Sequence, residues 1–231
     1  MALSFLSAGS GEGITDDDSA DTPSLDTTGA DLIIVGVTGF SLAFNTITDN
    51  KSNTWVELTN VNGGGNMDSV LFYSLPDTVG TGHVITYAET GSFPVIGALS
   101  FSGGKSTQSP DESTGTHTGA TSAQAGIVTP VADGSVIAQL LVNGSSRTGM
   151  AIDNSYIHEH ERNFVSSQNV SFAMAYLIQG TAADTNPTWT WSGSEQGSQA
   201  AATFEPAVGA EEFRGRQYPQ GIMRGIMRGV A

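Results

Sequence analysis

Apolar residues in this chain come in short runs separated by polar, glycine-rich stretches. DLIIVGV at Asp31–Val37 is nearly continuous and rich in β-branched residues, the pattern of a strand buried on both faces. Strand-sized runs follow as NTWVELTNV at 53–61, SVLFYSL at 69–75, HVITYA at 83–88 and FPVIGALSF at 93–101. Residues 54–59 alternate, with Trp55, Glu57 and Thr59 on one face and Val56 and Leu58 on the other, which predicts a half-buried strand. A polar stretch at 102–125 holds no Val, Ile, Leu or Phe and reads as a long exposed loop. Beyond it AGIVTPV, GSVIAQLLVNG, VSFAMAYLI, TWTW and AAATFEP read as strands again.

The stretches 31–101 and 135–204 echo each other. Asp31–Val37 and Ser135–Leu141 open them, and Asp49 and Asp153 fall within ITDN and AIDN. Tyr73 and Tyr176, Ala98 and Ala201, and Phe101 and Phe204 repeat the spacing. The pattern predicts an all-β protein, an antiparallel β-sandwich of jelly-roll type. Two pseudo-repeats would account for it, and so would two sheets of similar composition; in either case the halves are expected to interleave into one core. Residues 1–30 read as a flexible N-terminal arm, 31–206 as the sandwich and 207–231 as a C-terminal tail.

Composition supports this reading. The 231 residues include 29 glycines and no cysteine, and Ser and Thr are abundant, which weakens helices and suits strands joined by tight turns. Without cysteine there is no disulfide framework. The net charge of −15 repels phosphate, so nucleic acid is not an expected partner. No segment approaches the roughly 20 apolar residues of a membrane helix, so no membrane association is expected.

Candidate chemistry is sparse. His158 and His160 flank Glu159 in HEHE, and on a regular strand they would share a face and could ligate a metal together. The carboxylate and third histidine of a cupin-like site do not follow, so a charged strand end is the better reading and no metal or cofactor is expected. Asp16-Asp17-Asp18 lacks the spacing of a calcium loop and reads as a solvated acidic run. Gly63-Gly64-Gly65 precedes neither a helix nor Lys-Ser/Thr, so it is a turn and not a phosphate cradle. There is no GxSxG elbow, and nothing selects a catalytic pair among 23 acids. No catalytic residue is assigned, and the expectation is a protein that is not an enzyme. Trp189 and Trp191 fall on one face of a strand, where they could stack on a sugar, although packing in the core or at a subunit contact is the stronger expectation.

The final segment differs from everything before it. Four of the eight basic residues, Arg214, Arg216, Arg224 and Arg228, lie there, and IMRG is written twice. Ile222, Met223, Ile226 and Met227 supply paired apolar anchors, and the guanidiniums would find carboxylates on a neighbouring surface. These eight residues are the expected docking contacts.

DTTGADLIIVGV, ITDNKSNTWVELT, AYLIQGTAADTNPTWTW and AAATFEP resemble a group of β-sandwich proteins of tailed bacteriophages and bacterial genomes, many of them virion, tail or fibre-associated. The resemblance covers roughly residues 25–206, and its motifs are structural and bring no catalytic residues with them. It implies a virion location and a non-enzymatic structural role: a capsid decoration, fibre or tail-associated subunit whose partners are other virion proteins and copies of itself. The alternative is a carbohydrate-binding adhesin that engages a host-surface glycan.

Overall fold

The computed structural model describes residues 2–13, 19–44, 47–89, 92–165 and 169–207. Asp16–Asp18 and the tail residues Arg214, Arg216, Ile222, Met223, Arg224, Ile226, Met227 and Arg228 lie outside the described residues. In chain order the strands are β1 (Ser4–Glu12), β2 (Ser19–Asp21), β3 (Leu32–Phe40), β4 (Thr48–Asp49), β5 (Val56–Glu57), β6 (Met67–Ser74), β7 (Ile85–Ala88) and β8 (Val95–Ser102). They continue as β9 (Glu112–Ala123), β10 (Val136–Asn143), β11 (Ala151–Ile152), β12 (Ile157–Val165), β13 (Asn169–Ile178) and β14 (Trp189–Phe204). Among the described residues the one helical element is a 3-10 turn at Gly64–Asn66. The protein is all-β, and its ladders are antiparallel.

One sheet runs β1-β8-β3-β6-β5 and another β11-β14-β10-β13-β12, with β9 laddered along the outer side of β14. A small sheet, β2-β7-β4, completes the set. The two large sheets face each other across a shared core. One side supplies Leu32, Ile34, Leu71, Tyr73, Leu99 and Phe101, and the other Leu140, Val142, Phe172, Met174, Tyr176 and Phe204. The opposite faces are covered as well. Ile33, Val35, Phe72 and Ile96 lie under Ala20, Ile85 and Tyr87 of the small sheet. Ile137, Leu141, Ala173 and Ala201 lie under Trp189, Trp191, Met150 and Tyr156. This double burial is why the central strands are apolar runs without alternation. Burial of each large side chain contributes about 1.5–3 kcal/mol.

Glycine in mid-strand has a packing reason. A Cβ on Gly97 would stand 2.5 Å from Phe172 Cζ, and one on Gly36 would stand 2.8 Å from Leu140 Cδ1. The sheets meet so closely there that a side chain on one side displaces a ring or branch on the other.

The halves share one core, as expected, but no sheet. Each ladder among the described residues joins strands from the same half of the chain, so the two meet face to face and share no sheet. Their pairings run in step. Ile34 lies between Tyr73 and Leu99, and Ala138 lies between Tyr176 and Ala202. The isolated bridge Leu25–His83 has its counterpart in Val128–Thr185.

Several local expectations change. The N-terminal stretch is no free arm: β1 pairs with β8 from Ser4 to Glu12, and Ala20 and Leu25 are buried. The polar stretch 102–125 contains the twelve-residue strand β9, an edge strand that needs no apolar face because only β14 borders it. WTW of TWTW and AAATF belong to one strand, β14. AGIVTPV forms a single bridge at Val128 and no strand. Of NTWVELTNV only Val56–Glu57 is strand, with Val56 exposed and Leu58 buried; the Trp55 indole donates to Asp49 Oδ2 at 2.8 Å.

Candidate functional site

His158 and His160 lie on β12, but the register slips between them: His158 faces Ala175, and His160 faces the next residue, Met174. The extra residue, Glu159, is a bulge that turns the two imidazoles apart. His158 packs edge-on against Trp189 with centroids 5.4 Å apart, on the outer side of its sheet. His160 reaches between the large sheets, with Nε2 3.1 Å from the Ala98 carbonyl. Burial holds its pKa below the ordinary imidazole value. The shared face that a regular strand would give does not form. Among the described residues no three His, Asp or Glu side chains converge as metal ligands would.

Trp189 and Trp191 are also inside. Trp189 is 0% exposed and Trp191 7%, both in the outer core of the second large sheet. The surface therefore carries no sugar-stacking platform built from these two rings; the packing expectation is the one the structure follows.

A line of polar side chains runs beneath the small sheet. Thr27 Oγ1 lies 3.0 Å from His83 Nδ1, and Asp49 Oδ2 lies 3.6 Å from His83 Nε2. The order resembles a nucleophile, base and acid, but Thr27 is sealed at 0% exposure and donates to the Gly80 carbonyl. Asp49 is also fully used: Oδ1 accepts the Lys51 and Asn53 backbone N–H groups and Oδ2 accepts the Trp55 indole. Burial lowers the His83 pKa, and the Asp49 charge offsets part of that effect. This cluster holds the loop after β4 in place; no substrate could reach it.

An open cavity lies at the far end of β10 and β14. β9 and β14 pair regularly at Ala123–Trp189 and Ser122–Thr190, then resume at Ala120–Glu195. Trp191–Ser194 thus stand opposite Thr121 alone, and the expanded loop leaves a cavity of about 220 Å³ lined by Gly119, Gly144, Ser194, Glu195 and Gln196. Arg147 is paired to the lining residue Glu195: Nε donates to Oε1 at 2.5 Å, and Nη2 donates to the same oxygen. A side chain on Gly193 would meet that guanidinium at 2.9 Å, and at φ +86° the position favours glycine in any case.

Behind the cavity is a buried amide–imidazole chain. The Gln199 amide donates to His117 Nδ1, so Nε2–H donates to Asn143 Oδ1 at 2.8 Å. The His117 ring lies 4.9 Å from that of Trp191. Its pKa is lowered chiefly by burial, against a smaller opposing effect of the Asn143 hydrogen bond and Glu195. These residues drew no attention in the sequence. The signal was the run SGSEQGS, whose glycine inside a strand pattern marks a bulge.

Comparison with known protein families, characterised proteins and solved structures gives no match for this chain. Function therefore rests on the fold and on the geometry above.

Proposed function

We propose that this chain is a non-enzymatic structural subunit of a bacteriophage virion, a capsid decoration, fibre or tail-associated protein. It assembles with other virion proteins and with its own copies through the segment after Ala207, and it exposes an acidic sandwich. The observation that carries the reading is the use the fold makes of its reactive groups. His83, His117, His160 and Asp49 each hold a structural hydrogen bond or close polar contact inside a packed layer. A scaffold that commits its imidazoles to internal order is suited to rigidity and display, and three apposed sheets give a stiff block.

The charge pattern supports docking at one end. The chain leaves the sandwich at Ala207, whose N–H bonds the Gly103 carbonyl, and the basic Ile-Met-Arg-Gly segment follows. An acidic body attracts such a segment from a neighbouring copy. We further read the halves as two pseudo-repeats of one unit, supported by their matched pairings and bridges.

Deleting residues 208–231 tests the assembly role. The truncated protein should keep its melting temperature yet fail to enter particles in a reconstitution assay. Truncated protein incorporated at full occupancy would overturn the reading.

A further inference from the structure

The cavity beside Glu195 is a built site that the assembly role leaves unused. We propose that it binds a neutral polyhydroxylated ligand, the size of one sugar ring, at the end of the sandwich opposite Ala207. Size points first to a small occupant: about 220 Å³ falls below the roughly 300–1,000 Å³ of pockets for drug-sized ligands. The ion pair then restricts its charge. Glu195 repels an anion and Arg147 repels a cation, and their mutual contact leaves the mouth close to neutral.

Both side chains keep hydrogen-bonding capacity. Oε1 of Glu195 takes the guanidinium, which leaves Oε2 as an acceptor, and Arg147 spends two of its several N–H groups on that oxygen. A donor beside an acceptor matches vicinal hydroxyls, each of which both donates and accepts. Ser194 and Gln196 extend the same polar rim. Gly119 and Gly144 bring backbone to the wall with no side chain over it, so a ring can approach closely.

Position gives the site a use. Gly197, next to the cavity, pairs with Asn143 at the last residue of β10, and Phe204, three residues before the chain leaves at Ala207, pairs with Val136 at the first. Seven steps at about 3.4 Å separate the two ends by about 24 Å. If the subunit is anchored through its tail as proposed above, the cavity faces outward. Affinity for one ring in so small a pocket should be weak, on the order of millimolar. Repeated copies on one particle would raise the effective strength through avidity.

The test is amide-resolved NMR titration of the full chain with the methyl glycosides of glucose, galactose, mannose and N-acetylglucosamine, each to about 50 mM. At least one should give saturable shifts at Gly119, Gly144 and Ser194–Gln196. Ser194→Phe, at an exposed position, should fill the mouth and weaken binding at least about tenfold while leaving the melting temperature unchanged. Arg147→Met should weaken it as well. The proposal is overturned by the absence of saturable shifts with every glycoside, by shifts that survive Ser194→Phe, or by acetate or methylammonium saturating the same amides more tightly. None of these outcomes depends on particle incorporation, so the cavity and the tail stand or fall separately.

Discussion

The two halves of this protein pair their strands in the same way and use the result differently. In the first, Asp49 gathers two backbone N–H groups and the Trp55 indole and sits beside His83, so the loop after β4 is tied down. In the second, Asp153 accepts the Thr188 N–H through Oδ1, and Thr185 occupies the bridge position that His83 has in the first half. The difference extends to the adjoining strand. β7 and β8 are separate elements in the first half, whereas β14 runs from Trp189 to Phe204 and swells opposite Thr121. The sandwich thus carries a closed polar cluster in one half and an open cavity in the other. The lesson is that matched ladders leave local chemistry free to diverge where a bulge or a loop acid changes the packing.

The comparison can be broken most severely through what the halves share. Phe172 fills the space above Gly97 in the core between the large sheets. Phe172→Ala should cost about 3–5 kcal/mol and lower both halves together, as a single shifted transition in calorimetry. Two separated transitions would show that each half is stable without the other.

Acid should act on both halves. His83 in the first half and His117 and His160 in the second are held below the ordinary imidazole pKa, each chiefly by burial. As pH falls through about 6.5, the unfolded chain takes up protons that the folded protein refuses, so stability present above that pH is lost below it. The loss approaches about 1.4 kcal/mol per histidine per pH unit. Asp68 opposes this at lower pH: burial raises its pKa, so its protonation favours the folded state. Urea midpoints at pH 7.5 and 5.5 measure the balance, and a higher midpoint at 5.5 would contradict the histidine account.

The two loop acids sharpen the contrast directly. Asp49→Ala leaves two N–H groups and a half-buried indole without their acceptor and should cost about 2–3 kcal/mol. Asp153→Ala removes an exposed acceptor and should cost about 0.5–1.5 kcal/mol. Equal losses in chemical denaturation would erase the distinction. At the smallest end, Ile127 and Val131 are 61% and 71% exposed, and Ile127→Ser should change stability by less than about 0.5 kcal/mol.

Legibility in the sequence followed burial. β3, β6, β8, β10 and β13 were readable because both faces of each are covered, which demands apolar residues at nearly every position. β1 and β9 were not. As edge strands they owe their conformation to a ladder on one side, and Ser, Thr and Gly meet that demand as readily as they fill a loop. The candidate site was hidden for a related reason. Gly119, Gly144 and Glu195 are far apart in the chain, and the cavity they line lies where β14 slips against β9.

The sequence by itself determined the all-β class and the central strands, because a pattern of apolar runs is a local record of which faces must leave water. Tertiary structure decided that the halves stay separate and meet face to face, that Glu159 turns His158 from His160, and that the tryptophans lie inside. Each of those outcomes depends on register and on what lies across a sheet. A one-residue slip reverses the face of a side chain without changing a letter of the pattern.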